Sequence, residues 1–183
     1  MRKLKSALLY TALALVANAA MAEGPDIAAL RSGDMDKLTI SDGMTASDVP
    51  FQTETGGTAT LTDYRGQVIA VNFWATWCVP CREEMPSLAA LQDSFAGQNF
   101  QVVTIATGRN SPQAVQKFFD EVGVTTLPQH LDNGMGLARS MGVLGLPATI
   151  LIDKNGNEVG RLLGGADWNS DSARAIVQAL IDG

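Results

Sequence analysis

Apolar positions set the reading frame of this chain. Residues 68–74 form a continuous apolar run broken only by Asn72, and residues 100–107 form a second. Runs of that kind predict strands buried on both faces of a sheet. Between them Met85, Leu88, Leu91 and Phe95 recur near helical spacing, which predicts a helix from Cys78 to about Gly97, kinked at Pro86. Ser111-Pro112 places an N-cap before a first-turn proline and opens a helix to about Val122. Residues 129–132 predict a short strand and 136–141 a short helix. Residues 148–153 and 158–163 predict two strands joined across Lys154-Asn155-Gly156-Asn157, and 170–181 a closing helix. Upstream, 51–55 and 58–61 flank Gly56-Gly57, the pattern of a two-residue hairpin. Residues 23–48 are polar, with Asp34, Asp36, Asp42 and Asp48 among Gly, Ser and Thr, and predict a short helix near 26–31 and then a loose lead-in. The order β-α-β-α-β-α-β-β-α predicts an α/β fold. Its sheet is parallel at first and antiparallel at the end, with helices on both faces.

The N-terminus follows other rules. Arg2, Lys3 and Lys5 precede an Ala- and Leu-rich run over 7–20, and Ala20-Met21-Ala22 is a small-x-small cleavage pattern. This reads as a bacterial-type secretory leader over residues 1–22. The apolar run is shorter than the roughly 20 residues of a spanning helix, so a retained anchor is the lesser reading. Either way the domain is expected outside the cytoplasm, in the periplasm. The chain has 13 Lys+Arg, 19 Asp+Glu and a formal charge of −6, and removing the leader would make it more acidic still. An acidic chain has no electrostatic case for nucleic acid. One His and two Cys cannot fill a tetrahedral zinc site without carboxylates, and two cysteines are no disulfide scaffold.

Those cysteines lie in Trp77-Cys78-Val79-Pro80-Cys81, where a buried strand gives way to a helix. Spacing i, i+3 in a first turn puts both on one side within disulfide reach, roughly 4.4–6.8 Å between Cα atoms. Unpaired N–H groups and the positive dipole end favour a thiolate there. Cys78, at the helix start, is expected to be exposed and to be the nucleophile; Cys81, one turn deeper, is expected to resolve the mixed disulfide. As an inert staple the bond would contribute little, because it closes so short a loop.

The stretch 73–86, Phe-Trp-Ala-Thr-Trp-Cys-Val-Pro-Cys-Arg-Glu-Glu-Met-Pro, resembles the thioredoxin superfamily, in particular its exported TlpA/ResA branch. Residues 61–67 resemble that branch's L-x-D-x-x-G-K lead-in, with Gln67 in place of Lys. Residues 142–153 resemble its V-x-G-x-P strand entry, and 164–168 a segment typical of TlpA members. The resemblance covers roughly 50–183. It implies a thioredoxin-like domain there, with an N-terminal β-hairpin extension to the central mixed sheet. It implies a cis Leu146-Pro147 bond beside the cysteines, with Leu146 offering its backbone to a substrate strand. It also implies a partly buried acid at Glu84. That residue turns about 300° from Cys81 and returns near its face, where a carboxyl of raised pKa can relay the resolving thiol's proton. Ordinary thioredoxins carry an acid at the position of Asn72; an amide cannot titrate, and Asn72 is expected to be a hydrogen-bonding core residue. Trp77 is expected to shield the disulfide and dock substrate, Trp74 to be core, and His130 to have no catalytic or metal role.

The resemblance implies an exported protein disulfide reductase with no cofactor beyond its own dithiol. Its expected clients are heme-site cysteines of cytochrome c or copper-site cysteines of cytochrome oxidase, and its expected electron source is a membrane donor of the DsbD/CcdA type. The default state is a monomer. Three other readings stand beside it. One is an oxidase or isomerase of exported proteins; Val79 and Pro80 lack the His that strong oxidants carry between the cysteines. Another is a Cu(I) carrier, which thiolates suit but for which no third ligand is evident. The last is a peroxidase, which would need a single activated Cys in an Arg/Thr pocket.

Overall fold

The structure is a computed structural model and describes residues 25–41 and 43–183. The leader expected over 1–22 lies outside the described residues. Strands β1 (Thr39–Ile40), β2 (Phe51–Gln52), β3 (Thr58–Ala59) and β4 (Val68–Trp74) precede helix α1 (Val79–Ser94). Then follow β5 (Phe100–Thr107), α2 (Pro112–Val122), β6 (His130–Asp132), α3 (Gly136–Ser140), β7 (Ala148–Ile152), β8 (Glu158–Leu163) and α4 (Asp171–Asp182). One eight-stranded sheet runs in the order β1-β8-β7-β4-β5-β6-β2-β3. β4, β5 and β6 are parallel, whereas β7 lies antiparallel to β4 and β8 antiparallel to β7.

Strand alternation builds two cores from one strand. In β4, Val68, Ala70 and Trp74 face Met85 and Leu88 of α1, Phe118 of α2 and Ile176 of α4. Ile69, Val71 and Phe73 face Leu137 of α3 and Met141. All seven β4 residues are buried, which is why the sequence shows a continuous run there rather than alternation. Asn72 falls by parity on the α1 side. Ser111 caps α2 by accepting the Ala114 N–H at 3.1 Å, and Gly123 ends it at φ +70°, a conformation that favours glycine.

Two expectations are corrected. The hairpin is present, but its link is not the two-residue Gly-Gly turn. Thr53 N–H donates to the Gly57 carbonyl and Gly56 N–H to the Thr53 carbonyl, both at 2.9 Å. The strands therefore stop at Gln52 and start at Thr58. A type I′ turn needs positive φ at both central residues, and here Gly56 takes φ +84° while Gly57 does not. The lead-in is not loose. Short 3-10 helices span Ile27–Leu30 and Gly33–Lys37, and β1 pairs with β8, Thr39 opposite Arg161. Met35 and Leu38 are fully buried. Gly160 permits that approach, since a Cβ there would meet the Thr39 carbonyl at 3.2 Å.

Candidate active site

The sheet brings the cysteines to the carboxyl end of its central strand. β4 ends at Trp74, the chain turns through Ala75, Thr76 and Trp77, and the Cys78 N–H closes the turn on the Ala75 carbonyl at 3.1 Å. Cys78 is the N-cap of α1, with extended backbone, and its Sγ accepts the Cys81 N–H at 3.3 Å. The two cysteines form a disulfide with Cα atoms 5.3 Å apart, inside the reach expected from i, i+3 spacing. An N–H aimed at sulfur and the positive end of a sixteen-residue helix both favour negative charge on Cys78. The expected exposure of Cys78 is corrected. It is only 5% exposed, although it remains the more accessible of the pair, Cys81 being fully buried. Exposure belongs instead to its neighbours: Trp77 at 68% and Val79 at 66%.

Glu84 sits one turn beyond Cys81 and is 3% exposed. Its Oε1 accepts the Asn72 side-chain N–H at 2.8 Å, and its Oε2 accepts the Ala166 N–H at 3.3 Å. Asn72 also donates to Thr149 Oγ1 at 2.9 Å. Burial pushes the Glu84 carboxyl up to about 7, against the pull of the Asn72 and Ala166 bonds in the other direction. A cleft lined by Pro80, Glu83, Ser87 and residues 165–167 includes Glu84 in its wall.

The Leu146-Pro147 bond is cis. Because Ala148 of β7 pairs with Phe73 of β4, continuing the antiparallel register brings Pro147 level with Trp74, and Leu146 with the turn that leads to Cys78. Pro147 is buried, Leu146 half-buried, and Leu144 protrudes at 93% exposure. Trp74 is core, packed against Phe118 with tilted rings whose centroids are 4.3 Å apart. His130 is buried on β6. Its Nδ1 accepts the Glu54 N–H at 3.3 Å, and its Nε2 lies 3.4 Å from the Tyr64 hydroxyl. Desolvation lowers its pKa and the Glu54 charge opposes that.

Three partners were not visible in the sequence. Thr149 and the Ala166 amide complete the Glu84 setting from strands and loops that are remote along the chain. Asn110, buried in the loop after β5, accepts both the N–H and the hydroxyl of Thr76, at 3.0 and 2.9 Å. Only the helical spacing of Glu84 and the strand position of Asn72 carried a signal.

Comparison with known proteins agrees with this geometry. The model of the AhpC/TSA family matches residues 43–157. The thiol-disulfide oxidoreductase ResA of Geobacillus kaustophilus is 33% identical over 141 residues, covering 77% of this chain and 79% of its own. ResA of Geobacillus thermodenitrificans is 36% identical over 121 residues, covering 66% and 68%. Among solved structures, a thiol:disulfide interchange protein DsbE from Chlorobium tepidum superposes with a TM-score of 0.67 at 28% identity. That match covers 78% of this chain and 99% of the other.

Proposed function

We infer the activity from one premise: the chain belongs to the AhpC/TSA family, within its thioredoxin-like, thiol-disulfide oxidoreductase members. Its redox pair is Cys78 and Cys81. The observation that carries the reading is the placement of their bond at the N-cap of α1, with Cys78 sulfur on a helix N–H. The direction we propose is reductive. In the dithiol form, Cys78 thiolate attacks one sulfur of a client disulfide, forming a mixed disulfide and releasing one client thiolate. Glu84 carboxylate takes the proton of the Cys81 thiol. Cys81 thiolate then attacks Cys78 sulfur, the second client thiolate leaves, and two electrons have passed to the client. The protein is left with the Cys78–Cys81 bond and Glu84 protonated.

A carboxyl with pKa about 7 suits the relay, because it is close to half-ionised at neutral pH. Pairing of Cys78 with Cys81 favours disulfide exchange over the chemistry of a lone peroxide-reducing thiol. Leu146, ahead of the cis proline, offers its backbone to the client, and Trp77 offers apolar surface. The leader pattern and the paired cysteines support export to the periplasm. The resemblance to the TlpA/ResA branch supports heme-site or copper-site cysteines of cytochromes as clients, with a DsbD/CcdA-type membrane donor restoring the dithiol. The test is trapping. Cys81→Ser should accumulate mixed disulfides through Cys78 with exported proteins, resolved by added thiol. Equal trapping by Cys78→Ser would contradict the assignment of roles.

A further inference from the structure

We propose that Asn110 is a positioning residue for the attacking thiol: by holding Thr76 it fixes the turn that presents Cys78 at the cap of α1. The proposal rests on the reading of Cys78 as the nucleophile. The three parallel strands β4, β5 and β6 all finish at the same end of the sheet, and Asn110 ties together the loops that leave them. Its Oδ1 accepts two hydrogens from Thr76, after β4. Its Nδ2 donates to the Thr107 carbonyl at the end of β5, at 2.9 Å. Its backbone N–H donates to the Gly108 carbonyl at 2.9 Å and, at 3.3 Å, also to Asn133 Oδ1, after β6. Asn110 is 5% exposed, so these bonds face little competition from water.

The turn it holds has few other ties. Ala75 and Cys78 are joined by one backbone bond, Trp77 points to solvent, and Cys78 must keep extended backbone for its sulfur to receive the Cys81 N–H. In the disulfide form the covalent bond enforces that geometry. In the dithiol form nothing covalent does, and the Thr76–Asn110 pair becomes the constraint that keeps the sulfur on the helix N–H. Only an amide serves here: its oxygen must accept from Thr76 while its nitrogen donates to a carbonyl, and Asp in place of Asn would set a carboxylate oxygen against the Thr107 carbonyl.

The experiment reads the thiolate directly. Reduced full-length protein is alkylated with iodoacetamide from pH 4 to 10, and modification of Cys78 is separated from that of Cys81 by mass spectrometry. In Asn110→Ala the Cys78 profile should move to higher pH. Its rate at pH 6 should fall by about threefold or more, the effect of weakening one hydrogen bond to a charged sulfur. Thr76→Val, which keeps the N–H but loses the hydroxyl, should shift the same way by less, and Thr76→Ser should coincide with the native profile. This pair carries the test if Asn110→Ala does not fold. Profiles that superimpose for native, Asn110→Ala and Thr76→Val, even with lowered thermal stability, would overturn the proposal and leave Asn110 a purely structural tie. A native profile with its midpoint at the ordinary thiol value, about 8.5, would instead overturn the underlying assignment of Cys78.

Discussion

Replacing Glu84 with Gln should change how stability depends on pH, and the size of the change follows from burial. In the folded chain the carboxyl is raised from an ordinary 4.5 to about 7. Between those values the folded state holds a proton that the unfolded chain has released, so stability falls as pH rises. A shift of that size corresponds to about 3 kcal/mol, present in full below pH 4.5 and lost once pH exceeds about 7. Glu84→Gln removes the titration. It also turns one acceptor towards the Ala166 N–H into a donor, a pH-independent penalty of about 1 kcal/mol. Native minus variant stability should therefore decline by about 3 kcal/mol from pH 4 to pH 8. His130 and every other carboxylate are common to both proteins and cancel in the difference. Urea unfolding of the oxidised proteins at unit pH steps measures it. A difference constant within about 0.5 kcal/mol, the scatter of surface substitutions, would refute the claim that Glu84 is buried at a cost to its charge. The same substitution should remove the pH dependence of the resolving step near neutrality.

Other predictions address packing and docking. Phe118→Ala should lose about 3–5 kcal/mol in urea unfolding, because the ring is buried between Trp74 and the Arg82 guanidinium, which lies 4.6 Å from its centroid. Trp77→Ala should leave stability within about 0.5 kcal/mol of native. It should slow exchange with a folded protein disulfide while leaving exchange with oxidised glutathione unchanged. Glu158→Ala should destabilise by about 1.5–3 kcal/mol, since it removes two bonds of 2.6 Å between Arg161 and a fully buried carboxylate, while the guanidinium keeps the Met141 carbonyl and partial access to water. Replacing both residues with Met should recover much of that loss in the same unfolding assay.

What could be read from sequence follows from where information is local. The central strands are buried on both faces, so their composition alone marks them. α1 announces itself by apolar spacing from Met85 to Phe95 after a buried strand, and Glu84 is legible because helical geometry ties it to Cys81. The lead-in was illegible for the opposite reason. Met35 and Leu38 are single buried residues among polar ones, and two-residue β1 is fixed by pairing with β8, more than a hundred residues away. The burial of Cys78 and the hub at Asn110 share this cause. Arg109-Asn110-Ser111 reads as an ordinary polar turn before a helix, and only the convergence of three strand ends gives its amide work to do.

The reduction potential of the Cys78–Cys81 pair, equilibrated in a defined thiol buffer and read by alkylation, tests the central claim most directly. A reductant of protein disulfides should lie near or below about −220 mV, towards thioredoxin at about −270 mV. A value near about −120 mV, that of DsbA, would contradict the account and assign the protein to forming disulfides rather than reducing them.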